Sequence, residues 1–310
     1  MRRIAQEADR GNAVIKEIFC AIRCHLKNAP GIQIFPFGSY ATGLGDYMAD
    51  LDLCVWFGEP PTSKAEADAH LRRLQTFLQD LPLIKAMKYM RWPKVPFLDI
   101  QWQVNSPEIA VREVQISANS QSGIYNSHLI RGYVNFDTRV KPIITSFKLF
   151  GKRSGIINSQ RCRLSSFAAT LMGIHFLQTK NVLPNLQAVR PDIYTMSKQP
   201  NELFTPEDLQ LPKFTNTNSA ELFIDLLDYF AKFEYDKFAI SINRRRVSRT
   251  LLEHQSAPVL ILDPYDEQAN VARALPKGGD FGTTLEQTFS SAVQLLKEKP
   301  DLGQIGLHEQ

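Results

Sequence analysis

Asp50 and Asp52 stand one residue apart at the head of the apolar run "DLDLCVWF" (50–57). No other feature constrains the chain as much. Successive residues of a strand point to opposite sides, so the two aspartates share one face and Leu51 and Leu53 the other. Carboxylates side by side near a core repel each other and lose hydration. A divalent cation removes that cost, and Mg²⁺ takes one or two protein carboxylates and completes its shell with water and phosphate oxygens. Taken alone, Asp-x-Asp also reads as a solvated acidic pair at a strand end. Eleven residues before Asp50, at the end of the strand-like "IQIFPFG", lies Gly38-Ser39. A Gly there lets the backbone approach a ligand, and the following N–H groups and the Ser hydroxyl can grip phosphate. Alone, Ser39 reads equally as the N-cap of a strand-to-helix turn. Together the two motifs build phosphate on one side and metal on the other, the layout of nucleotidyl transfer.

The rest of the composition is permissive. The 310 residues are 44% hydrophobic and 22% charged, enough for one large or two ordinary domains, and the net charge of +4 is only mildly basic. That bias is compatible with nucleic acid without demanding it. Cys20, Cys24, Cys54 and Cys162 show no paired spacing, and Cys20, Cys24 and His25 lack a second ligand pair at zinc spacing. Four unpaired thiols fit a reducing compartment, the cytoplasm, with the nucleus also compatible. No apolar run reaches the length of a membrane span. "MRRIAQEADRGN" has no apolar core after its arginines and carries acids, unlike a secretory signal or a transit peptide.

Apolar residues recur at three- and four-residue steps over 3–27 and predict an amphipathic helix ended by Pro30-Gly31. Pro60-Pro61 breaks the chain after the Asp-x-Asp strand. Ser63-Lys64-Ala65-Glu66 is a capping box opening a helix. "LIKAMKYM", "VPFLDIQWQV" and "AVREVQIS" read as three strands, the last two joined by a turn at Asn105-Ser106-Pro107. From Ser122 the period becomes helical. Residues 184–218, rich in Pro, Asn and Thr, read as a long surface excursion; "FAISIN" reads as a short strand and 282–298 as a last helix. Strands cluster early and helices late, which predicts an α+β chain of two domains with a boundary near residue 135.

Five segments carry a resemblance, in order: "FGSYATGLGDYMADLDLCVW", "YNSHLIRGYVNFDTRVKPIITSFKLFGKRSGI", "RLSSFAATLMGIHFLQ" with "VLPNLQ", "YDKFAISIN" and "LILDPYDEQANVARAL". They resemble the template-independent RNA 3′-terminal nucleotidyltransferases, the cytoplasmic poly(A)/poly(U) polymerase type within the DNA polymerase β superfamily. The resemblance implies a polymerase-β-like nucleotidyltransferase domain at 31–134. It implies a mostly helical, poly(A)-polymerase-associated domain from 1–30 and 135–310. It also implies roles. Gly38 and Ser39 would hold the triphosphate, and Asp50 and Asp52 would ligate metal. Asn126 and Ser127 would touch the ribose, and Lys148 and Lys152 would meet the β- and γ-phosphates. Ser166 would add a phosphate or base contact, Phe167 would stack on the base in place of a Tyr, Asp263 and Asp266 would be polar neighbours of a base edge, and Asn270, of the same late motif, would help bind the nucleotide. Read without the resemblance, Lys148 and Lys152 are a solvated helix face and Phe167 is core.

The chain departs from that pattern at one decisive point. The family's third catalytic Asp lies eleven residues before the Asn of the ribose motif, which here is Gln115. A Gln carbonyl ligates a cation weakly, carries no charge and cannot accept the 3′-hydroxyl proton. Glu113, two residues earlier on the same face, and Asp99, on the neighbouring strand, are the carboxylates that could compensate. A second departure is Ala269, where uridylyl-preferring members resemble each other in a His before the Asn.

The expected function is addition of A or U from NTP to an RNA 3′ end, with Mg²⁺ or Mn²⁺, within RNA processing. Asp50, Asp52 and Gln115 would stand in the catalytic places. The alternative is an inactive pseudo-nucleotidyltransferase serving as an RNA- or protein-binding scaffold; Gln115 separates the two and leaves enzyme status open. The expected partners are an RNA 3′ end and an adaptor protein, with no membrane. Arg153, Arg161 and Arg163, and the run Arg244, Arg245, Arg246 and Arg249, could neutralise RNA phosphates, or the run could be a charged loop.

Overall fold

The computed structural model describes residues 15–26, 32–45, 49–58, 63–91, 95–104, 111–203, 217–252, 256–298 and 301–305. The expected breaks at Pro30-Gly31 and Pro60-Pro61 and the turn at Asn105-Ser106-Pro107 lie outside the described residues. Two compact units divide the chain: Met1–Arg131 with Thr195–Thr205, and Gly132–Tyr194 with Pro206–Gln310.

In the first unit, strands β1 (Gln33–Phe37), β2 (Leu51–Trp56), β3 (Ile84–Met90), β4 (Phe97–Gln103) and β5 (Val111–Ala118) form one sheet in the order β1-β2-β5-β4-β3. Only the β2–β5 pair is parallel; the others are antiparallel. Pro36 is tolerated because β1 is an edge strand. Alternation divides the sheet into two faces. Leu51, Leu53, Val55, Leu98, Ile100, Trp102, Val114 and Ile116 point to one core. Helix α1 (15–26) and helix α3 (Lys64–Leu78) cover that face with Ile15, Ile18, Ile22, Leu71, Leu74 and Leu78. The Ser63 hydroxyl caps α3 by accepting from Glu66 N. The N-terminal helix therefore belongs with the sheet and not, as expected, with the helical domain. Its apolar stripe is buried against the strands, where each fully buried aliphatic side chain stabilises by about 1.5–3 kcal/mol.

Helix α2 (Gly38–Thr42) follows β1, and helix α4 (Gln121–Phe136) follows β5 and carries the chain into the second unit. There α5 (Val140–Arg153), α6 (Ser166–Thr179), the short α7 (Leu186–Val189), α8 (Ser219–Ala231) and α9 (Phe281–Glu298) pack with a two-stranded ribbon, β6 (Phe238–Ser241) and β7 (Arg245–Ser248). Helix α6 is buried on every side from Ala168 to Gln178. Phe147, Phe230 and Phe289 stack at 5.8–6.1 Å between ring centroids and tie α5, α8 and α9 together. Within α6, His175 is fully buried: Nδ1 donates to Ser241 O at 3.0 Å and Nε2 accepts from the Tyr229 hydroxyl at 2.9 Å. The segment read as a surface excursion is partly core, because Leu186, Ile193, Tyr194 and Pro200 are buried; residues 204–216 of it lie outside the described residues.

Candidate active site

The site begins where β1 turns into α2. Gly38 has φ +67°, and a Cβ there would stand 2.0 Å from Asp52 Oδ2. Only a Gly accepts both the left-handed backbone and that approach. The Gly38 N–H donates to Ser127 Oγ at 2.8 Å, and the Ser127 hydroxyl donates to Gly123 O at 2.7 Å. Gly123 in turn lies under Phe37, whose ring carbon would be 2.8 Å from a Cβ at Gly123. Gly123 and Ser127 are four residues apart on α4, so one helix face lies along the turn. Four residues further, exposed Arg131 places Nη1 2.6 Å from where a Gly43 Cβ would be, at the left-handed C-cap of α2. Sequence reasoning missed Arg131; its signal was the four-residue spacing from Ser127.

The acidic face is a row across the sheet. Asp52 is the register partner of Phe37 on β1 and of Gln115 on β5; Gln115 is the partner of Asp99 on β4, and Asp99 of Lys88 on β3. Asp52, Gln115 and Asp99 are half-buried on the side opposite the helix-covered core. Asp50, just ahead of β2, is exposed. Burial first, and then the charge of Asp50, push the Asp52 carboxyl from 3.8 up to about 7. Burial and a neighbouring like charge both disfavour the ionised form of a carboxyl. Two hard carboxylates, one of them packed against the glycine turn, fit a divalent cation with oxygen from a phosphate ligand. Gln115 stands beside Asp52, where the third carboxylate was looked for. Among the described residues no three acidic, His or Cys side chains converge on one point where they could hold an ion. Glu113 is exposed and pairs with Gln101, in the next row.

Asn126 and Ser127 are buried in the first unit, beside the turn that Ser127 fastens. Ser39, half-buried in the first turn of α2, is in the first unit too, and the remaining expected residues belong to the second. On α5, Lys148 is buried and Lys152 exposed, so the pair is not one solvated face. Ser165 caps α6 by accepting from Ala168 N; Ser166 opens the helix and Phe167 is half-buried, neither fully core nor fully open. Asp263 Oδ1 accepts from Tyr265 N at 2.9 Å. The Asn270 side chain is engaged within its own loop. Its Oδ1 accepts from Ile261 N and Ala272 N, and its Nδ2 donates to Val259 O, so the amide clasps its own loop.

The arginine run is also mostly structural. Arg244 pairs with Glu267, Arg246 lies over the Phe238 ring at 4.6 Å, and Arg249 is buried, donating to the Tyr235 and Ala257 carbonyls. Arg163 lies 5.2 Å over Phe281. Arg245 is exposed and makes a long 3.4 Å contact to Asn181 Oδ1, and Arg153 and Arg161 are exposed. All four cysteines are free. Among the described residues no helix is long and apolar enough to cross a membrane.

Residues 3–135 match the family described as "Poly(A) RNA polymerase, mitochondrial-like, central palm domain", and 218–269 match "Cid1 family poly A polymerase". The poly(A) RNA polymerase gld-2 of Caenorhabditis elegans is 32% identical over 231 residues, covering 71% of this chain and 20% of that protein. The poly(A) RNA polymerase GLD2-B of Xenopus laevis is 28% identical over 283 residues, covering 88% of this chain and 54% of that one. The chain thus spans about a fifth to a half of these relatives. The solved structure of the GLD-2/RNP-8 complex superposes with TM-score 0.80 at 26% identity, covering 97% of this chain and 93% of that one. A structure of the Cid1 poly(U) polymerase shares the fold with TM-score 0.76 at 22% identity, covering 94% of this chain and 90% of that one.

Proposed function

The chain belongs to the template-independent RNA terminal nucleotidyltransferases, and from that premise we propose that it adds ribonucleotides, A or U, to an RNA 3′ end. The observation that carries this reading is the closure of Gly38, Asp52 and Ser127: a glycine turn held against a carboxylate by a hydroxyl from α4.

Asp50 and Asp52 would hold Mg²⁺ or Mn²⁺. Bound there, the metal would neutralise the carboxylates and polarise the triphosphate oxygens during attack by the RNA 3′-hydroxyl and departure of pyrophosphate. Gly38 brings backbone within reach of the phosphates, and Ser39 presents a hydroxyl in the next position. Ser127 holds the turn closed from beneath. Arg131 supplies an exposed cation at the far end of the same turn, where anionic backbone or triphosphate would pass. Gln115 offers a carbonyl oxygen to the cation and no basic oxygen to the attacking hydroxyl. The roles of Lys148, Lys152, Ser166, Phe167 and Asp263 rest on the family resemblance. Ala269, in place of a His, leaves A and U both as substrates of the proposal.

GLD-2 was solved in complex with RNP-8 and, separately, with GLD-3. An adaptor protein that selects the RNA is therefore proposed for this chain too, in keeping with an arginine run in which Arg244 pairs with Glu267, Arg246 lies over Phe238 and Arg249 is buried.

The test is an extension assay on a labelled RNA oligomer with Mn²⁺ or Mg²⁺ and each NTP in turn. The proposal expects extension by the native protein and none by the Asp50→Ala, Asp52→Ala double variant. Equal extension by both would reject it.

A further inference from the structure

Gln115 sits between two carboxylates. On one side its register partner is Asp52, on the other Asp99. All three point to the face away from the helix-covered core, and all three are half-buried. Cross-strand partners lie about 4.5–5.5 Å apart at Cα, within reach of a Gln side chain on either side. Glu113 shares the face but stands about 6–7 Å along the strand, paired with Gln101.

The chemistry of the three groups fixes an order. Ionised carboxylates only accept hydrogen bonds, whereas a Gln amide has one accepting end and one donating end. Once Asp52 carries a cation, the amide oxygen is the end that is attracted to that side. The NH₂ end then faces Asp99, the one neighbour in the row able to accept it. Donation to an anion polarises an amide and fixes its orientation, as outer groups do for metal ligands generally.

Resting on the proposed function, we propose that Asp99 is a positioning residue for Gln115. By accepting from the amide nitrogen it turns the amide oxygen toward the cation held at Asp52. The negative charge missing at position 115 is thereby supplied one strand further out, through a neutral intermediary. Lys88, the partner of Asp99 on β3, closes the outer end of the row.

The full chain is titrated with Mn²⁺ alone, following free Mn²⁺ by its paramagnetic resonance signal. Native protein, Asp99→Asn, Gln115→Asp, the Asp99→Asn with Gln115→Asp combination, and the Asp50→Ala with Asp52→Ala combination are compared. Thermal midpoints of the metal-free proteins report that each is folded. Asp99→Asn removes the anion and keeps the shape, so Mn²⁺ affinity is expected to fall about tenfold or more. In the Gln115→Asp background the same change is expected to cost less than about twofold, because a carboxylate needs no partner to turn it. An unchanged affinity in Asp99→Asn overturns the proposal. So does an equal loss in both backgrounds, which would mark a long-range charge effect or an Asp99–Lys88 pairing. Binding by Gln115→Asp but not by the native protein overturns it together with metal binding by the native chain, whereas an unchanged affinity in Asp99→Asn leaves the proposed function standing. Failure of both to bind Mn²⁺ removes the metal from the proposed function, and this proposal with it.

Discussion

Gly38 leaves no room for a side chain against Asp52: a Cβ would come within 2.0 Å of the carboxylate oxygen Oδ2, and φ is +67°. Gly38→Ala therefore carries backbone strain of about 1–3 kcal/mol and displaces the Asp52 carboxylate as well. The expected outcome is a lowered denaturant midpoint together with lost Mn²⁺ binding. Gly45→Ala is the control, because its Cβ would meet neighbours only at 3.4 Å; it is expected to leave binding in place.

Ser127 is the hydroxyl that fastens this turn to α4. Ser127→Ala leaves the Gly38 N–H without its acceptor, at a cost of about 1–3 kcal/mol. Urea unfolding measures the loss. Ser127→Thr, which keeps the hydroxyl, is expected to recover most of it.

How much of this was legible in the sequence follows from which interactions are local. Alternation alone put Asp50 and Asp52 on one face, because strand period is a local property; Gln115 came from the family resemblance, counted back from Asn126, and the structure pairs it with Asp52. The destination of the N-terminal helix was not legible: an apolar stripe says that Ile15, Ile18 and Ile22 are buried, and not against which surface. The arginine run was left with two readings for a similar reason. The partners that hold it in the fold, Glu267, Phe238 and the carbonyls of Tyr235 and Ala257, are fixed only by tertiary packing. The hydrogen bonds that Asn270 makes within its own loop were not legible either, because a motif gives a residue type and not its partners.

Burial makes the arginines separable: Arg249 is buried, whereas Arg244, Arg245 and Arg246 are exposed. Arg249→Ala strips two buried carbonyls of their donor and is expected to destabilise by about 2–4 kcal/mol. Arg245→Ala, on an exposed side chain, is expected to stay within about 0.5 kcal/mol of native stability. Thermal unfolding of the two variants checks the difference. Arg131→Ala, exposed beside Gly43, is expected to keep stability and weaken RNA or NTP affinity, read by fluorescence polarisation at fixed salt.

His175 gives the second unit a dependence on pH. Burial holds its pKa down at about 4, from 6.5. Between those values the unfolded chain takes up a proton that the native state refuses. Stability is therefore full above pH 6.5 and falls as the pH drops toward 4, by on the order of 3 kcal/mol. Unfolding free energies across pH 4–7 are expected to show this slope, and His175→Gln to flatten it.

The most direct test of the account places native protein and Gln115→Asp side by side in RNA extension with Mn²⁺ and ATP or UTP, each checked for folding. The account holds that the nucleotide and metal site is complete apart from one missing charge. It predicts measurable extension by the native protein and faster extension by Gln115→Asp, with both lost on Asp52→Ala. Extension only by Gln115→Asp would mark the native chain as an inactive scaffold built on an intact site. No extension by folded Gln115→Asp would contradict the account at its centre.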